Sequence, residues 1–158
     1  MFVAFRAITY AILFIGFLII YLSARLLAWS GIVRPAAMGA AQIAGMIVAV
    51  AGAALALWCV VSFVTLGKGT PAPFDPPRHL VIRGHYRFIR NPMYIGGTLT
   101  LVGAALFYCS LTLLDYAAVF LLAATLFVHG YEEPTLRRSF GAEYEEYCHR
   151  VPRWWPHM

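Results

Sequence analysis

Charge is scarce in this chain. Of its 158 residues, 12% are Asp, Glu, Lys or Arg and 61% are hydrophobic, whereas an ordinary soluble domain carries about 25% charged residues. The apolar runs also exceed the length of a buried core helix, so the chain reads as an integral membrane protein of one domain, 1–158. Cysteine is sparse: Cys59, Cys109 and Cys148 stand without CxxC spacing, two of them inside apolar runs. That excludes a disulfide framework and a thiolate metal site, and leaves the three as packing residues. There is no GxSxG, no P-loop and no GxGxxG following a strand, so hydrolase and nucleoside-triphosphate readings lose their support. No internal repeat, no low-complexity segment and no ionisable group in the middle of an apolar run is found, the last of these arguing against a proton or ion pathway. The formal charge of +5 does not point to nucleic acid. The bases collect at the ends of apolar runs, and no basic soluble domain exists to carry such a surface.

What is present is a series of apolar runs. The first, 4–29, is interrupted by Arg6 and Arg25; it is too long for a signal-peptide core and is followed by no clear cleavage site. Gly31 to Pro35 breaks it. The second, 37–66, places Gly45 with Ala49 and Gly52 with Ala56 four residues apart, a spacing that lets helices approach closely. From Lys68 to His79 four prolines forbid a regular helix and favour a stiff extended loop, either a lid over a site or a linker. Leu80 to Ile82 gives a short extended link. Runs at 92–114 and 115–131, with a turn at Asp115, make a helical hairpin whose ends return to one membrane face. The expectation is an all-α polytopic membrane protein with four transmembrane helices. A loop over 67–91 and a tail over 132–158 complete it. With both termini inside, ten of the twelve bases (Arg6, Lys68, Arg78, Arg83, Arg87, Arg90, Arg137, Arg138, Arg150 and Arg153) fall on the inner side and only Arg25 and Arg34 outside, which supports cytoplasmic N- and C-termini.

Two polar clusters stand at the ends of that hairpin. Arg83, Arg87 and Arg90 recur at helical spacing and share one face if the segment coils. Asn91 is a good N-cap and Pro92 suits a first helical turn, so a helix starts here, with its positive end beside Arg90 in a position to receive a carboxylate or phosphate. The alternative is a plain helix cap beside a positive-inside arginine cluster. At the other end, Glu132 and Glu133 sit where a helix C-terminus disfavours acids, with Pro134 able to begin a new helix and Glu133 to cap it. They call for partners: the arginines, a cationic or hydroxylated ligand, or a structural salt-bridge network. His129 has metal-site spacing to either acid, but nothing elsewhere supplies further ligands, so no metal is expected. In the tail, Leu136, Phe140, Tyr144, Tyr147, Cys148 and Val151 form the stripe of an amphipathic helix, kinked at Gly141, lying on the membrane surface or over the hairpin mouth, with Trp154 and Trp155 as interfacial anchors.

Gly84, Tyr86, Arg90, Pro92, Tyr94 and Gly96, followed by Glu132, Glu133, Leu136, Phe140, Gly141, Tyr144, Tyr147, Val151, Pro152 and Arg153, resemble the two motif blocks of the isoprenylcysteine carboxyl methyltransferase and phospholipid methyltransferase superfamily of membrane enzymes. The resemblance covers about 67–154. Asn91 departs from it, standing where the family usually has histidine, and an amide cannot titrate near neutrality. The resemblance implies S-adenosylmethionine bound at a cytoplasmic loop, beside a lipophilic small-molecule or lipid acceptor reached from the bilayer. That acceptor is an isoprenylcysteine-like carboxylate, a lipid headgroup, a quinone-like lipid or a thiol. It implies His85, Tyr86, Arg90, Asn91, Pro92, Tyr94, Glu132 and Glu133 as cofactor-binding residues, and Arg90, Glu133 and Arg153 as catalytic ones. Arg153 or Arg87 would orient a carboxylate acceptor, and Glu133 would take a proton from an amine or thiol. A multi-pass protein of a bacterial inner membrane is expected. The rival readings are a sterol-reductase-like NADPH enzyme, for which the chain is short, and a non-enzymatic scaffold or transporter subunit.

Overall fold

The computed structural model describes residues 9, 13, 16–32, 37–67 and 79–155. Among them every regular element is helical. The apolar helix α1 spans Gly16–Trp29, α2 Ala40–Gly67, α3 Pro92–Tyr108, α4 Leu111–Phe140 and α5 Ala142–Arg150. Both α2 and α4 are long and apolar enough to cross a membrane, while α1 and α3 are apolar but shorter. Only 33% and 22% of the most apolar windows of α2 and α4 are buried within the molecule, far less than the core helix of a soluble protein would be. The start of the first expected run, the proline-rich stretch 68–78, and Arg6, Arg34, Lys68 and Arg78 lie outside the described residues.

Small residues decide how α2 meets α3. A methyl group on Gly52 would lie 2.6 Å from both the Gly96 carbonyl oxygen and the Thr100 nitrogen, and one on Gly45 2.6 Å from the Gly103 oxygen and the Phe107 nitrogen. The two backbones therefore touch along the stripe, which is the function its spacing suggests. At one end of the pair, Gln42 donates to Cys109 Sγ (3.2 Å) and accepts from the Gly39 amide (3.0 Å). At the other end, Cys59 of α2 packs with Val81 and Tyr86, so α2 and α3 run antiparallel.

The hairpin turn differs from expectation. It falls at Cys109 and Ser110, and Asp115 lies exposed inside α4. Cys109 adopts the left-handed conformation (φ 50°), and the buried Ser110 hydroxyl accepts from the Leu113 amide at 3.3 Å, an N-cap that starts α4 four residues before any charge appears. The runs 92–114 and 115–131 thus become Pro92–Tyr108 and Leu111 onward. Ser110→Ala is expected to cost about 1 kcal/mol, read as a lowered thermal midpoint in detergent; an unchanged midpoint would show that the hydroxyl is not a cap of consequence.

Nor does the chain break at Pro134. An α-helix loses a hydrogen bond and meets a ring clash at an internal proline. Here α4 widens into a π turn over Val128–Glu132 and passes through the proline to Phe140. Glu133 consequently makes no capping bond, contrary to the role expected of it. Gly141 (φ 52°) then separates α4 from α5. The stripe of the tail closes over the extended link: Tyr144, Tyr147 and Val151 pack with Leu80, Ile82, Leu136, Phe140 and Cys148. Trp155 is exposed.

Candidate functional site

The hairpin brings the two polar clusters together. Pro92 occupies the first turn of α3 and Asn91 the cap position, but the Asn91 side chain does not cap. Its Nδ2 instead donates to the Arg153 carbonyl (3.3 Å), and the Arg90 amide donates to the Pro152 carbonyl (2.9 Å). The chain end is thereby stitched to the residues that open α3.

Around this seam Glu133 accepts from Arg90 Nη1 (3.0 Å) and, through both oxygens, from Arg153 Nε and Nη2 (2.8 Å each). Glu133 is 5% exposed and the Arg90 side chain 12%. One carboxylate facing two guanidiniums leaves a net positive charge, and a fork-to-carboxylate pair of this kind is the strong geometry for arginine. The bond to Glu133 holds Arg153 above its ordinary range. Arg153 Nη1 also approaches His129 Nε2 at 3.3 Å.

One contact and one vacancy in its hydrogen bonding distinguish Arg90 from Arg153. Its Nη1 also reaches Cys148 Sγ (2.8 Å), and its Nε is buried with no partner among the described residues. Buried donors are seldom left so. Beside it, Tyr94 donates to Glu132 Oε2 (2.9 Å), whereas Oε1 carries no hydrogen bond among the described residues. Consecutive residues on a helix diverge by about 100°, which lets Glu132 face Tyr94 while Glu133 faces the arginines.

The remaining predicted residues divide. Only four residues, Gly84–Arg87, coil, and they do so as a 3-10 turn, so Arg83 and Arg87 stay exposed while Arg90 turns inward; the shared arginine face does not form. Gly84 starts the turn at φ +64°, and a side chain there would also press on the Trp58 indole at 3.3 Å. His85 is exposed, with Trp58 edge-on to it at 6.0 Å, and among the described residues it makes no hydrogen bond to the acid and arginine cluster. Tyr86 is buried against Phe63 (5.5 Å), Cys59 and Val81. Burial drives its phenol well above the ordinary range, as it does that of Tyr147. The Tyr147 hydroxyl donates to the Tyr86 carbonyl at 2.6 Å.

Tyr147, Cys148 and Trp58 are the residues of this region that sequence reasoning gave no chemical role. The first two sat in a stripe explained by packing, and Trp58 lay in a helix chosen for its small residues. Tyr147 stood in the second motif block without a role attached to it, and no residue-type signal marked Cys148 or Trp58.

A family model described as phospholipid methyltransferase matches residues 40–143, from the start of α2 into α5. Arg90, Tyr94, Glu132 and Glu133 lie within the match, and Tyr147 and Arg153 beyond it. Neither curated proteins nor solved structures give a match to the chain.

Proposed function

The chain belongs to the phospholipid methyltransferase family, and from that premise we propose that it transfers a methyl group from S-adenosylmethionine to a lipid-like acceptor at a membrane face. The observation that carries the proposal is the pairing of Arg90 with Glu133 at 3.0 Å beside that of Tyr94 with Glu132 at 2.9 Å, since it gathers both signs of charge next to long apolar helices. When bound, S-adenosylmethionine supplies an electrophilic methyl on a sulfonium, with a carboxylate, an ammonium and ribose hydroxyls as handles. The residues suit those handles. Arg90, with a buried Nε that has no partner among the described residues, fits the carboxylate; Glu132, with Oε1 unbonded among the described residues, fits the ribose or the ammonium.

Glu133 takes a different part in this reading. Both its oxygens are engaged, so it ties the tail to the hairpin mouth rather than meeting a ligand. Arg153 spends Nε, Nη1 and Nη2 on Glu133 and His129, which leaves it better fitted to holding the tail than to orienting an acceptor. Displacement at a sulfonium depends on alignment and exclusion of water rather than on a catalytic triad. Alignment comes from the rigid first turn of α3, and Glu132 is the group placed to receive a proton if the acceptor is an amine or thiol. Exposed apolar residues of α2 and α4, such as Ile47, Val50, Leu122 and Leu126, fit hydrocarbon. The same proposal takes the chain as a single membrane domain crossing four times with both termini on the basic side.

The test is to incubate membranes containing the protein with methyl-labelled S-adenosylmethionine and to extract the lipids. Donor-dependent label in a lipid fraction above that of control membranes is expected. Absence of label together with absence of calorimetric donor binding would leave the scaffold reading. Within the site, Glu132→Gln is expected to weaken donor binding about 30-fold, about 2 kcal/mol for a lost charged hydrogen bond. Wild-type affinity in that variant would remove Glu132 from the donor's surround.

A further inference from the structure

Had the segment before α3 continued as an α-helix, the Arg90 amide would bond to the Tyr86 carbonyl four residues back. Both groups are instead occupied by the tail. The Tyr86 carbonyl accepts from the Tyr147 hydroxyl at 2.6 Å, and the Arg90 amide donates to the Pro152 carbonyl at 2.9 Å. The turn ends at Arg87, and Arg90 leaves the exposed face of Arg83 and Arg87 to meet Glu133. We propose that Tyr147 is a positioning residue which, by occupying the Tyr86 carbonyl, keeps the Arg90 guanidinium directed at Glu133 and at the methyl donor. This rests on the donor reading given above. The tail thus sets the geometry of the site through two hydrogen bonds to main-chain groups.

Removing the hydroxyl leaves a buried carbonyl without its partner, and the donor that α-helical geometry would bring to it is the Arg90 amide. Capturing it would pull Arg90 out of the seam with Pro152. The Tyr147→Phe variant keeps the ring and its packing with Tyr144 and Val151, so the change falls on the hydrogen bond.

The experiment is calorimetric titration of the full detergent-solubilised chain with S-adenosylmethionine for wild type, Tyr147→Phe and Leu136→Ala. Leu136 packs against the same cluster and is a partner in neither bond. Tyr147→Phe is expected to lower donor affinity about tenfold, while Leu136→Ala keeps wild-type affinity even if its thermal midpoint falls further. Affinity within twofold of wild type in Tyr147→Phe overturns the proposal, as does an equal loss in Leu136→Ala, which would assign the effect to packing. Failure of the wild type to bind the donor overturns the methyltransferase reading itself, and this assignment with it.

Discussion

Glu133→Gln is expected to release the tail from the hairpin mouth and to abolish methyl transfer, at a cost of about 3 to 5 kcal/mol, the range for breaking a buried ion pair by removing one partner. The carboxylate is nearly inaccessible and is shared by Arg90 and Arg153 at 3.0 and 2.8 Å. An amide of the same shape keeps one acceptor oxygen but carries no charge, so two guanidiniums are left close together with nothing between them to offset the repulsion. Thermal unfolding in detergent should show the loss directly. Adding Arg153→Gln removes the surplus positive charge and should recover part of it, a coupling that a double-mutant cycle measures. A midpoint for Glu133→Gln equal to that of wild type would mean that the triad does not hold the tail.

Gly52→Leu is the second change with a large expected effect. The first added carbon would stand 2.6 Å from two backbone atoms of α3, the Gly96 oxygen and the Thr100 nitrogen, and no rotamer moves it away. The helices must part, at about 3 kcal/mol, the upper end of the usual overpacking range. Gly96 lies half a turn beyond Tyr94, so separation at this point also shifts Tyr94 relative to Glu132. Gly130→Ala is the matched control: nothing lies within 4 Å of its added methyl, and the midpoint should not fall. Equal behaviour of the two variants in thermal unfolding would show that the backbones are not in contact at Gly52.

The hydrophobic pattern located α2 to within three residues at its start and one at its end, because a long apolar run bounded by glycine leaves few alternatives. It misplaced the hairpin turn because Asp115 looked like the only interruption. The turn is built instead from a left-handed cysteine and a serine cap, both inconspicuous in an apolar run. The acid and arginine pairing was legible, since charges beside apolar surface require partners. Which atoms pair was not. Three of the contacts that shape the site end on main-chain oxygens, those of Tyr86, Pro152 and Arg153, and a carbonyl has no letter of its own in a sequence. The arginine face failed for a related reason: its spacing assumes α geometry, and the segment forms one 3-10 turn.

The wide turn over Val128–Glu132 has a bearing on insertions and deletions. A π turn is an α-helix that has taken in an extra residue, so loss of one codon among 128–131 would let the helix tighten to α geometry with the residues beyond it facing much as before, whereas loss of one codon from the α-helical stretch 111–127 would swing everything downstream by about 100° about its axis. Only in the second case would Glu132 and Glu133 look toward other neighbours with their identities unchanged, so a one-residue gap before Val128 would matter more than one inside the wide turn.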